Sequence, residues 1–96
     1  MIRHIVLFKF KAEIESASRE DFVQKLQSLS SLPMVRYLSV GTNFTESPRA
    51  YDIGLIVDVD DRAALEAYGN HSLHIPVKEM AARLCSTFPL VDYELT

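Results

Sequence analysis

The sequence predicts an α+β domain whose elements run β-α-β-β-α-β. Three observations carry this. Apolar, β-branched and aromatic residues alternate at period two in four stretches, near Ile2–Phe10, Val35–Phe44, Tyr51–Val59 and Ser86–Leu95. Apolar residues recur at helical spacing between the first and second stretches and again between the third and fourth. Only Thr45-Glu46-Ser47-Pro48-Arg49, a turn-rich connector short enough for a hairpin, separates the second from the third.

The first strand puts Ile2, His4, Val6, Phe8 and Phe10 on one face and Arg3, Ile5, Leu7 and Lys9 on the other. His4 therefore shares the more apolar face, where an imidazole needs a hydrogen-bond partner. Ser18 is the candidate N-cap of the first helix, with Glu20 and Asp21 in its first turn. Phe22, Leu26 and Leu29 form its apolar stripe, widened by Val23 and Leu32, and Pro33 ends it at or before Leu32. In the second strand Val35, Tyr37, Ser39 and Gly41 alternate with Arg36, Leu38, Val40 and Thr42, and Gly41 suggests a bulge or a close backbone approach. The centre of the third strand, Ile53-Gly54-Leu55-Ile56-Val57, is apolar on both faces, which calls for cover on both sides of the sheet. Asp60 or Asp61 caps a short helix through Ala64, Leu65 and Tyr68 that Gly69 or Asn70 ends. Pro76 suits the first turn of a following helix carrying Val77, Met80, Ala81 and Leu84. Pro89 places at least the start of the last strand on an edge or at a bulge.

This order is the split β-α-β arrangement of a ferredoxin-like domain. Right-handed crossovers put both helical connections on one face of a four-stranded antiparallel sheet. The other face keeps Ile5, Leu7 and the two-sided third strand without cover from the chain, and an apolar face of that size is an interaction surface. We expect a homodimer packed sheet against sheet, closing toward a dimeric α/β barrel.

The chain has 96 residues, read as one domain over residues 1–96, with 48% hydrophobic and 24% charged residues. Its net charge is −3 and its basic residues are scattered, which argues against nucleic acid as a partner. No stretch approaches transmembrane length, and Lys9 interrupts an N-terminal apolar run too short for a signal peptide. A single cysteine, Cys85, reads as a small core hydrophobe and fits a reducing, cytoplasmic setting.

Chemistry concentrates in Tyr68-Gly69-Asn70-His71-Ser72-Leu73-His74, where one helical pattern ends before another begins. Histidine suits proton transfer near neutral pH, and a tyrosine hydroxyl donates to a developing oxyanion. His71 and His74 are spaced as a ligand pair on one helix face, yet no local Cys or His cluster completes a zinc site, so no metal and no cofactor is expected. Isolated glycines and the absence of a Gly-x-Ser-x-Gly elbow exclude a phosphate loop and a serine hydrolase elbow.

The opening Ile2-Arg3-His4-Ile5-Val6-Leu7-Phe8-Lys9-Phe10-Lys11 resembles the first strand of the stress-responsive A/B barrel (Dabb) domains. Gly41-Thr42-Asn43, Tyr68-x-x-His71-x-x-His74 and Val91-Asp92-Tyr93-Glu94 extend the resemblance from Ile2 to Glu94. It implies the same fold and a face-to-face homodimer. A plant polyketide cyclase of this family closes a ring by aldol chemistry without a cofactor. By that resemblance Tyr68 and His74 are the catalytic pair, and His4 lines the pocket. Leu26 stands where that cyclase has a pocket tyrosine, Cys85 where it has a tryptophan, and Ser72 where a proline commonly follows the first histidine.

Two functional expectations follow. In one, a cavity lined by His4, Val6, Phe8, Phe22, Leu26 and His71 takes a small hydrophobic or aromatic carbonyl compound, and His74 and Tyr68 act on it by acid–base catalysis. In the other, the protein is a non-catalytic, stress-associated dimerisation or assembly module. Its histidines are then structural, with His71 ending one helix and His74 tying the helix pair to the sheet.

Overall fold

The computed structural model describes all residues, Met1–Thr96. Its elements are β1 (Ile2–Phe10), α1 (Ser16–Ser28), β2 (Tyr37–Thr42), β3 (Ile53–Val59), α2 (Arg62–Asn70), α3 (Ile75–Leu84), β4 (Cys85–Thr87) and β5 (Leu90–Glu94), with a single 3₁₀ turn at Leu29–Ser31 after α1. The sheet runs β2-β3-β1-β4, every pairing is antiparallel, and β5 also pairs with β1. This is the predicted ferredoxin-like order, with one difference at the last strand.

That strand is broken. Residues Ser86–Leu95 do not form one ribbon, because Phe88-Pro89 interrupts the ladder between β4 and β5 and makes five strands of the expected four. Pro89 has no N–H to give, so it contributes only its carbonyl, which accepts from Leu7 N–H at 3.1 Å. The register of β1 is the same on both sides of this break, Val6 facing Leu90 and Lys9 facing Thr87, and it shifts only within the β4 pairing, between Lys9 and Phe10. The irregularity expected at Gly41 is absent: Gly41 sits squarely opposite Gly54 in an unbroken β2–β3 register, with open space around both.

Helix α1 starts at Ser16, not after Ser18, and its N-cap residue is Glu15, whose side chain makes no capping bond. Ser18 N–H instead donates to Glu15 O at 3.1 Å, so the first turn is already closed there. Asp61 is the cap of α2, accepting from Ala64 N–H at 2.8 Å. Pro76 lies in the first turn of α3, where a missing N–H costs nothing.

The core lies between the sheet and the helices. Strand residues Ile2, Val6, Phe8, Phe10, Ile53, Leu55, Val57 and Val59, all on one sheet face, meet Phe22, Leu26, Tyr68, Val77, Ala81 and Leu84 from the helices. Phe22 is fully enclosed and packs edge-on against both Phe8 and Phe10, at centroid distances of 5.1 and 5.9 Å. The opposite sheet face exposes Leu7, Tyr37, Val91 and Tyr93. On that face Arg3 forks onto Asp58 through two hydrogen bonds of 2.9 and 2.8 Å. Asp58 is the one charged residue buried in the chain, at 4% exposure.

Candidate functional site

A cavity of about 350 Å³ opens between the sheet and the α2–α3 pair. Strand β1 contributes His4, Val6 and Phe8, and α1 contributes Leu26. Leu55 comes from β3, and Leu65, Tyr68 and Gly69 from α2. His74, Val77, Lys78 and Ala81 come from α3 and its cap, and Phe88, Leu90 and Asp92 close the remaining side. Most of this lining is apolar, so the few polar groups in it set what the cavity can recognise.

The turn Ser72–Leu73 between α2 and α3 positions the two aromatic acid–base candidates. His71 caps the end of α2, donating its N–H to Tyr68 O at 3.3 Å. His71 Nδ1 accepts from Leu73 N–H at 3.1 Å, and His71 O accepts from His74 N–H at 2.9 Å. These bonds fold the chain back so that the His74 ring lies over Tyr68, with centroids 4.4 Å apart and planes tilted by 34°. His71 itself faces the turn and does not line the cavity. Phe22 also lies outside the lining, behind Phe8 in the core. His4, Val6, Phe8, Leu26, Tyr68 and His74 are brought together around the one space.

His74 Nδ1 lies 3.1 Å from Tyr68 O. A carbonyl only accepts, so Nδ1 carries the hydrogen and the neutral ring keeps its lone pair on Nε2. Burial, and then the nearby Lys78 ammonium, hold the His74 pKa below the ordinary histidine value, so the ring is neutral at pH 7. Tyr68 is only 1% exposed, and burial holds its phenol well above the usual range. It is therefore a proton donor, yet its hydroxyl is the one buried side-chain polar atom without a hydrogen-bond partner.

His4 stands edge-on to Tyr68 from the other side, with ring centroids 5.9 Å apart. Its Nδ1 hydrogen is directed at Asp92 Oδ1, 2.5 Å away. The β1–β5 register pairs His4 directly with Asp92, so the ladder itself delivers the carboxylate to the imidazole. Asp92 fixes the His4 ring and leaves Nε2 for the cavity. Sequence reasoning missed Lys78 as a site residue, and it placed Asp92 in the Val91-Asp92-Tyr93-Glu94 resemblance without pairing it to His4. The Asp92 pairing depends on register across 88 residues and leaves no local trace. Lys78 did leave one, since it is four residues beyond His74 on the same helix face. No three His, Cys, Asp or Glu side chains converge as metal ligands. Cys85 is buried, and burial pushes its thiol up to about 11, consistent with a core role.

The sequence profile of the stress responsive A/B barrel domain matches residues 2–95. An uncharacterised protein of Streptomyces coelicolor is 30% identical over 100 residues, covering 98% of this chain and 99% of its own length. A dimeric ferredoxin-like protein of unknown function from Thermobifida fusca superimposes with a TM-score of 0.89 at 23% identity, over 98% of this chain and 90% of that one. A hydroxynitrile lyase from Passiflora edulis reaches the same TM-score at 12% identity, over 99% and 93% of the two chains. These two likenesses are of fold. No helix of the chain is long and apolar enough to cross a membrane.

Proposed function

The chain belongs to the stress responsive A/B barrel domain family, and we propose that its cavity binds a small, largely apolar carbonyl compound on which His74 and Tyr68 act as base and acid. One observation carries the reading: a neutral His74 with a free Nε2 and a protonated Tyr68 with an unengaged hydroxyl share an apolar cavity of about 350 Å³. His74 Nε2 takes a proton from the carbon next to the carbonyl, or from a hydroxyl in the reverse, bond-breaking direction. Tyr68 donates its hydrogen bond to the oxygen on which charge develops, and the proton held by His74 returns to the product. A hydroxynitrile deprotonated at its hydroxyl splits into a carbonyl compound and cyanide, which leaves with the bonding pair and takes up the proton, so the Passiflora edulis lyase is a precedent for such chemistry on this fold. His4, held by Asp92, orients the ligand from the strand side.

Acetophenone in D₂O tests the base directly, because loss of its methyl protons by exchange is read by proton NMR without knowing the natural substrate. The protein accelerates exchange, and His74→Gln removes about 10²- to 10⁴-fold of that acceleration. Absence of both exchange and ligand-induced shifts at cavity residues defeats the proposal.

The homodimer belongs to the same reading. Leu7, Tyr37, Val91 and Tyr93 form an exposed apolar sheet face, and the Thermobifida fusca protein of this fold is dimeric. A second copy packed on that face would complete the barrel. The assembly-module reading has one observation in its favour, the bond from His74 Nδ1–H to Tyr68 O that ties the two helices together. On that reading His74→Ala loses about 1 kcal/mol of stability, and no variant separates stability from ligand binding.

A further inference from the structure

The cavity holds two charged side chains, and they are not equivalent. Asp92 is engaged by the Nδ1 hydrogen of His4. Lys78 has no carboxylate within salt-bridge distance, although both Lys78 and Asp92 line the same space. Its ammonium lies near Gly69, 3.9 Å from the point a Cβ would occupy there, an ordinary van der Waals distance. Lys78 is also at the wrong end of its helix. The amino-terminal turn of α3 is the positive end of the helix dipole, and it carries no acidic residue. A lysine there adds to that positive end, as Arg19 does at the same position of α1. The ammonium is close enough to His74 to depress its protonation.

A second, independent observation points to the same ligand class. Tyr68 lines the same cavity, and its buried hydroxyl has a hydrogen to donate and no partner in the fold. A free cation at the rim and a free buried donor inside call for an acceptor with negative charge, on a body that suits Leu26, Leu55 and Val77. We infer that the natural ligand is an anion, a small hydrophobic carboxylic acid whose carboxylate meets Lys78 at the cavity mouth. This rests on the cavity being a ligand site and narrows its carbonyl ligand to the acid-bearing kind. It does not depend on catalysis.

The test uses an isosteric pair, 3-phenylpropanoate and 3-phenylpropanamide, titrated into the whole protein and followed by amide and imidazole NMR shifts. The carboxylate binds about fivefold or more tightly than the amide, as an exposed ion pair allows. The preference shrinks as salt is raised from 0.02 to 0.5 M, values chosen to take the Debye length from about 20 Å to about 4 Å. Lys78→Met, on an exposed side chain, abolishes the preference, and Lys78→Arg keeps it. Equal binding of the two probes by the wild type overturns the inference and leaves the ligand site standing. A preference that survives in Lys78→Met overturns the role of Lys78. Binding of neither probe overturns the ligand site and the inference together.

Discussion

Replacing Tyr68 by phenylalanine should make the ligand-free protein more stable. The ring is enclosed, at 1% exposure, and sits against His4 and His74, so the substitution leaves its packing in place and removes only the hydroxyl. That hydroxyl has no hydrogen-bond partner. A buried polar group without a partner carries a desolvation penalty of about 1–3 kcal/mol, whereas a satisfied hydroxyl contributes about 1 kcal/mol to stability. The two cases therefore differ in sign. A gain of about 1 kcal/mol raises the melting temperature of a domain this size by about 4–8 °C. Thermal and urea unfolding of the two proteins, without ligand and at equal concentration, measure it. A bound water bridging the hydroxyl would reduce the gain toward zero without reversing it. Destabilisation by about 1 kcal/mol or more would mean that the hydroxyl has a partner in the fold, and the argument that it is held ready for a ligand would fail. Under the same reasoning, Tyr68→Phe loses the acetophenone exchange that His74 supports.

The pH dependence of stability follows from His74. Its folded pKa is depressed below the unfolded value, so it binds a proton more readily when unfolded. Its contribution to stability is thus fully present above about pH 6.5 and is lost as pH falls from there through the folded pKa. Urea denaturation across pH 5–8 should show this decline, and His74→Gln should remove it; an identical pH profile in the variant would refute the assignment. Sedimentation at low micromolar concentration should find a dimer, and Leu7→Lys on the exposed sheet face should give a monomer. A wild-type monomer at that concentration would overturn the argument from the uncovered face.

What the sequence revealed and what it hid divide along a physical line. The face of β1 that carries His4 was legible because strand alternation is local. The Tyr68/His74 pairing came from the family resemblance, carried by a motif of seven residues at the junction of α2 and α3. Phe22 and Leu26 show the limit of such reasoning. They are one turn apart on the same stripe of α1, yet Leu26 reaches the cavity and Phe22 is wedged between Phe8 and Phe10. Helical spacing selects the buried stripe but says nothing of depth along it. The break of the last strand at Phe88-Pro89 was marked by the proline, but the register shift opposite Thr87 and Cys85, between Lys9 and Phe10 of β1, left no mark in the sequence. Lys78 was visible all along, four residues after His74. A charge on an amphipathic helix is ordinarily solvated surface, and only the cavity beside it gives it another meaning.

Three local choices in this chain run against what folding alone would favour, and each departs from a different rule. The Tyr68 hydroxyl is buried without a partner, against polar satisfaction. Lys78 adds positive charge near the positive end of α3, against the helix dipole. His74 is held below its ordinary pKa by burial beside that lysine, against solvation of the charged ring. Elsewhere Asp61 caps α2, Asp58 is buried only with Arg3, and Asp60 pairs with Arg36, although Arg19 in α1 runs against the dipole as Lys78 does. The three residues line one cavity, and two of the departures are coupled, since the Lys78 ammonium helps to depress the His74 pKa. Sequences depart from local consistency where function requires it. A ligand with an oxyanion for Tyr68, an acidic proton for His74 and a carboxylate for Lys78 would satisfy all three at once.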